Sequence, residues 1–111
     1  MKQIRKYTAA DGTVPFEERL EDCDERLRAK ICAYVDRVAL GAAGNVKRLK
    51  NASGVLEIRI DWGPGYRVYY GEVGKNMMLL LLVGTKKRQA ADIGLAREYW
   101  RSYHAKASIV R

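Results

Sequence analysis

The chain has 111 residues, 48% of them apolar and 31% charged, without an internal repeat or a Pro-, Gly- or Ser-rich linker. That is enough for one compact domain over 1–111 and too little for two, and the mix excludes a disordered chain. The formal net charge of +8 is unevenly spread: residues 1–40 hold eight basic and eight acidic side chains, and residues 41–111 hold thirteen basic and five acidic.

Residues 1–6 lack the apolar run of a signal peptide, which points to a soluble cytoplasmic protein. Residues 3–9 read as a short strand that ends at the turn signal Asp11-Gly12. Thr13-Val14-Pro15 opens a helix, with Thr13 as its cap and the proline in the first turn, where a missing N–H costs nothing. Phe16 and Leu20 give that helix an apolar edge. A second helix starts at Asp24, another capping residue, and places Leu27, Ile31, Tyr34, Val35 and Val38 on one stripe before Gly41 and Gly44 end it. Cys23 and Cys32 have no partners at metal-ligand spacing, so neither a disulfide, a metal site nor a cofactor is expected.

Residues 45–53 are polar and basic and read as a loop. Residues 55–61 alternate, with Leu56, Ile58 and Ile60 on one side and Glu57, Arg59 and Asp61 on the other. Trp62-Gly63-Pro64-Gly65 makes a turn into a strand over 66–73, and a second turn leads to a strand over 77–83. That last run hardly alternates, as expected of a central strand covered on both faces. Its seven residues fall far short of the roughly 20 needed to span a bilayer, so no membrane association is expected. A final helix covers about 89–103, and residues 105–111 read as a loose tail. The pattern is an α+β domain: strand, two helices, a three-strand antiparallel meander and a last helix, with the helices on one side of the sheet.

Period-two alternation then places chemistry. If Leu56, Ile58 and Ile60 face the helices together with Tyr66, Val68 and Tyr70, then Glu57, Arg59, Arg67 and Tyr69 share the opposite, open face. Lys47, Arg48 and Lys50 precede these strands, and Lys86, Lys87 and Arg88 follow them, so all can converge on one surface. Such cations grip phosphates, and Tyr69 offers a ring for a base. The plainer readings are cross-strand pairs of Arg59 and Arg67 with Glu57 and Asp61, a solvated loop at 86–88, and a solubility surplus of charge. His104 is the lone histidine and sits near the end, so any RNA cleavage would have to use a carboxylate, tyrosine or perturbed lysine as its base.

The run Leu56-Glu57-Ile58-Arg59-Ile60-Asp61 followed by Gly63-Pro64-Gly65-Tyr66-Arg67-Val68-Tyr69-Tyr70 resembles the addiction-module killer proteins of the RelE/HigB superfamily. Gly84-Thr85-Lys86-Lys87 and Ala96-Arg97-Glu98-Tyr99-Trp100 agree with it. The resemblance implies a RelE-like fold and the toxin of a type II toxin–antitoxin system, a metal-independent endoribonuclease acting on ribosome-bound mRNA. It also implies a cognate antitoxin, commonly a helix-turn-helix, HigA-like protein. By the same resemblance Arg67 binds the scissile phosphate, Arg59 is a second basic position, and Lys86 stands at or next to a third. Glu57 replaces a lysine of the best-studied branch and Asp92 falls near a tyrosine of it, so either carboxylate is a candidate to move the proton. The alternative is a non-catalytic basic RNA-binding or protein-interaction module.

Overall fold

Residues 55–85 fold as the meander their alternation predicts, and the rest of the chain is arranged around it. The computed structural model describes residues 1–52 and 54–110, with side chains through Lys106. In chain order the elements are β1 (Gln3–Lys6), α1 (Pro15–Glu21), α2 (Glu25–Ala39), β2 (Val46–Arg48), β3 (Val55–Ile60), β4 (Tyr66–Val73), β5 (Met77–Thr85), a 3-10 turn (Lys86–Arg88) and α3 (Gln89–Val110). The strands form one sheet in the order β1-β5-β4-β3-β2, with β1 parallel to β5 and the other pairs antiparallel. The chain is thus an α+β domain with a five-stranded sheet and three helices. No helix among the described residues is long and apolar enough to cross a membrane.

Local chemistry accounts for most boundaries. Asp24 caps α2 as expected, its carboxylate accepting from the Leu27 N–H at 2.8 Å. Thr13 does not cap α1: Val14 occupies that position without a side-chain bond, because the Thr13 hydroxyl and N–H both donate to Asp11 Oδ1. β1 ends at Lys6 rather than residue 9. Residues 46–48, expected to be loop, are a short strand that takes up the free edge of β3, with Val46 opposite Ile58. At the other end the helical backbone runs on to Val110, past the expected end at 103; the predicted loose tail falls largely on side chains, and on Arg111, outside the described residues.

The main correction concerns the faces of the sheet. The helices do not share one side. Phe16 of α1 and Leu27, Ile31, Val35 and Ala39 of α2 pack on Leu56, Ile58, Ile60, Val68, Tyr70 and Leu80. Ala96 and Trp100 of α3 pack on Val55, Tyr69, Leu79, Leu81 and Leu82 from the opposite side. β5 serves both cores because Tyr69 pairs with Leu82 and Tyr70 with Leu80, leaving Leu81 as a bulge. The bulge turns Leu81 and Leu82 to the same side, which is why the run reads as unbroken apolar sequence. The Trp100 ring lies flat over Gly71, where a Cβ would come within 2.2 Å of it.

Candidate nucleic-acid interface

Arg59 on β3 and Arg67 on β4 are direct cross-strand partners, and Arg67 in turn faces Gly84 on β5. Residues so paired share a face with Cβ atoms about 5 Å apart, and like charges there destabilise a sheet. The parity predicted by alternation is therefore what the molecule has, with Glu57, Arg59, Arg67 and Tyr69 opposite the α1–α2 core. The predicted openness is not. The first residues of α3 and the 3-10 turn close over that face, leaving Glu57 1%, Arg67 3% and Tyr69 0% exposed, whereas Arg59 stays in solvent.

Under this cover the polar groups hold one another. Gln89, the first residue of α3, donates its amide to Glu57 Oε2 at 2.7 Å. Glu57 Oε1 lies 3.7 Å from Arg67 Nε, and Arg67 Nη1 donates to the Tyr66 carbonyl at 2.9 Å. Arg67 Nε and the Tyr69 hydroxyl find no hydrogen-bond partner among the described residues. Tyr69 cannot serve as a stacking ring. Burial foremost, and then the charges of Glu57 and Asp92, push its phenol above the ordinary tyrosine range against the pull of Arg67.

Lys86 reaches this row through a turn-to-turn contact. Gly65 has φ +88°, a conformation that suits glycine. Its carbonyl accepts from the Lys86 N–H at 3.0 Å. A Cβ on Gly65 would stand 3.3 Å from Lys86 Cβ and 3.8 Å from Arg67 Nη1, so the bare turn lets lysine and arginine come together. Lys86, Lys87 and Arg88 are all exposed.

The other candidates divide. Lys47 is opposite Glu57 and so belongs to the arginine side. Arg48 is opposite Leu56 and lies 3.7 Å from Glu72, which also pairs with Lys2; it sits on the other face and does not join the cluster. Lys50 is exposed in the turn after β2. Asp92 is wholly buried, its two oxygens accepting from Arg19 Nη2 and Nη1 at 3.2 and 3.3 Å. Sequence reasoning missed Arg19, and no pattern in a short, charged helix 73 residues away marks it as Asp92's partner. His104 packs edge-on against Trp100 at 4.2 Å and is exposed on α3, away from Arg67.

The outcome is an exposed rim of cations, Arg59, Lys47, Lys86, Lys87 and Arg88, around a closed Arg67–Glu57–Gln89 set. Arg59 and Lys86 are the members of this group next to Arg67 that stay open to solvent. Among the described residues no three His, Cys, Asp or Glu side chains are placed to hold a metal ion.

No family model matches the chain. A curated protein of Haemophilus influenzae, itself named only as an uncharacterized protein, is 39% identical over 72 residues, which span 65% of this chain and 71% of that protein.

Proposed function

The chain belongs to the family of this H. influenzae protein, and we propose that it is an RNA-cleaving toxin of the RelE/HigB kind, with a RelE-like fold. It acts in the cytoplasm on ribosome-bound mRNA and is silenced by a cognate antitoxin, a helix-turn-helix, HigA-like protein. The observation that carries this reading is the Arg59–Arg67 cross-strand pair with Lys86 beside it. The pair puts two cations on one face, and Glu57 offsets only Arg67, so a bound phosphate supplies the counter-charge that Arg59 lacks.

In the proposed reaction a ribose 2′-oxygen bonds to the adjacent phosphorus and the bond from phosphorus to the 5′-oxygen breaks. The 2′-hydroxyl proton passes to a base, and the departing 5′-oxygen takes up a proton from water. Arg59 and Lys86 hold the phosphate oxygens, with Arg67 beneath, and offset the charge that grows in the transition state. Glu57 is the base, being the buried carboxylate next to Arg67. To act so it has to exchange its hydrogen bond to Gln89 for one to the 2′-hydroxyl. Asp92 is committed to Arg19 and supports the site from behind.

The burial of Glu57 and Arg67 under Gln89 favours a second reading, a non-catalytic module that binds RNA, or a protein partner, with the exposed rim alone. One experiment separates the two. The chain is induced in bacteria with and without the neighbouring gene, and mRNA 5′ ends are mapped. Growth arrest and new 5′ ends that appear together, and vanish together when the neighbour is co-expressed, support the toxin. Arrest or normal growth with intact transcripts would overturn it in favour of the binding module.

A further inference from the structure

A second cationic surface lies away from the arginine row. α2 buries Leu27, Ile31, Val35 and Ala39, and its outer side carries Arg26, Lys30 and Arg37 with Ala29 and Ala33 between them, the spacing of one helical face. Trp62 of the β3–β4 turn stands beside this face. Arg26 Cζ is 5.9 Å and Lys30 Nζ 5.5 Å from its ring centroid, and Arg37 Cζ lies 4.5 Å over Tyr34. Arg26, Ala29, Lys30, Ala33, Arg37 and Trp62 line an open groove of about 410 Å³.

The groove has no carboxylate in its lining. Among the described residues none of the three cations pairs with an acid; the ion pairs of the molecule use Lys2, Lys6, Arg19, Arg48 and Arg67 instead. The first forty residues are neutral in sum, so this is a local segregation of charge and not a share of the general excess. Cation–π contacts hold Arg26 and Lys30 against Trp62 and lower the entropy they lose on meeting an anion. A positive groove beside an aromatic ring is how single-stranded nucleic acid is followed along its backbone without regard to sequence.

Trp62 also ties the groove to the arginine row. Its carbonyl accepts from the Gly65 N–H at 3.0 Å, and the Gly65 carbonyl accepts from Lys86 at 3.0 Å. One short turn therefore presents an indole to α2 at one end and holds Lys86 beside Arg67 at the other. We infer that the α2–Trp62 groove is a second RNA-contact surface, which takes the sugar–phosphate backbone of a strand whose neighbouring segment lies at Arg59 and Lys86. The inference rests on RNA being the partner. It assigns the groove to affinity and leaves the reaction to the arginine row.

The test is fluorescence anisotropy with a labelled 2′-O-methyl oligoribonucleotide, which lacks the attacking hydroxyl and cannot be cut. Wild type is compared with Arg26→Gln/Lys30→Gln/Arg37→Gln, with the charge-keeping triple Arg26→Lys/Lys30→Arg/Arg37→Lys, and with Arg59→Gln. The neutral triple should bind about tenfold or more weakly, and its log–log salt slope should be shallower by about 2, near 0.7 for each lost contact to a single strand. The charge-keeping triple should bind close to wild type, and circular dichroism melting checks that each variant is folded. An unchanged affinity and slope in the neutral triple, with binding weakened by Arg59→Gln, overturns the groove and leaves the cleavage reading standing. Wild type that does not bind the oligonucleotide overturns the groove, whereas the cleavage reading stands or falls separately on the mapped mRNA ends.

Discussion

Arg19 and Asp92 clasp the end of the sheet from opposite faces: the guanidinium comes from α1, the carboxylate from α3, and they meet at Gly84. The carboxylate is wholly buried while the Arg19 side chain keeps 25% of its surface. Gly84 makes the meeting possible, since a Cβ there would stand 2.0 Å from Asp92 Oδ2. Arg19 Nη1 also donates to the Val83 carbonyl at 3.2 Å.

That unequal burial predicts unequal costs. Arg19→Ala strands a charge in the interior and should destabilise by about 3 kcal/mol, the usual result of removing one partner of a buried pair. Asp92→Asn removes the buried charge, keeps one acceptor for the half-buried partner and should cost about half as much. Urea midpoints at neutral pH decide between them. Equal losses would mean that water reaches Asp92 when Arg19 is gone.

Trp100 and Gly71 make a second pair of this kind. The ring atom Cζ3 lies 2.2 Å from where a Cβ would be, so Gly71→Ala forces α3 off the sheet and should cost about 3 kcal/mol. Trp100→Ala empties the same volume and should cost about 4 kcal/mol. Because both act on one contact, the double variant should lose clearly less than the two single losses combined. Additive losses in thermal melts would show that the indole does not rest on Gly71.

The meander was readable because period two is a strong signal: Leu56, Ile58 and Ile60 face the core, and Arg59 and Arg67 share the other side. Asp24 was readable as a cap for the same kind of local reason. The cover over the arginine side was not. The last helix carries apolar residues on one side, and nothing in its pattern says which face of the sheet they meet. The all-apolar run of β5 already required two covered faces. Read together with Gly71, which leaves room on β4 for a large ring, it was the clue that an open face did not exist. The loss of Tyr69 as a stacking ring and of Arg48 from the cluster both follow from that tertiary choice and from the short β2 edge.

Tyr69 and Tyr70 predict the behaviour at high pH. Burial raises both phenols above the ordinary value of 10.0, Tyr70 to about 12 with Glu72 adding to the effect and Arg48 opposing it. A raised folded value means that the native state holds the proton more tightly than the unfolded chain does. The stability is therefore complete below pH 10 and should fall as pH climbs from 10 towards 12. Tyr69→Phe removes a buried hydroxyl that has no partner among the described residues. It should leave stability at pH 7 unchanged or raise it by about 1 kcal/mol, and it should flatten the alkaline loss. Chemical denaturation at stepped pH checks this, and a Tyr69→Phe variant much weaker at pH 7 would mean that its hydroxyl is bonded after all.

Arg59 and Arg67 offer the sharpest functional prediction because they share a register position but not an environment. Arg67→Ala leaves Glu57 buried with only Gln89 for company, so it should lose about 3 kcal/mol of stability. Any loss of toxicity would then have two explanations. Arg59 is exposed and bonded to no acid in the described ion pairs. Arg59→Ala should therefore melt within about 0.5 kcal/mol of wild type, as surface changes do. If Arg59 holds the phosphate through the transition state, its loss costs about 3 kcal/mol of barrier, or roughly a hundredfold in cleavage rate. Lys87→Ala, one residue beyond the lysine that touches the Gly65 turn, should slow cleavage only a few-fold. An Arg59→Ala protein that melts like wild type and still arrests growth with the same mRNA ends would remove the arginine pair from the chemistry.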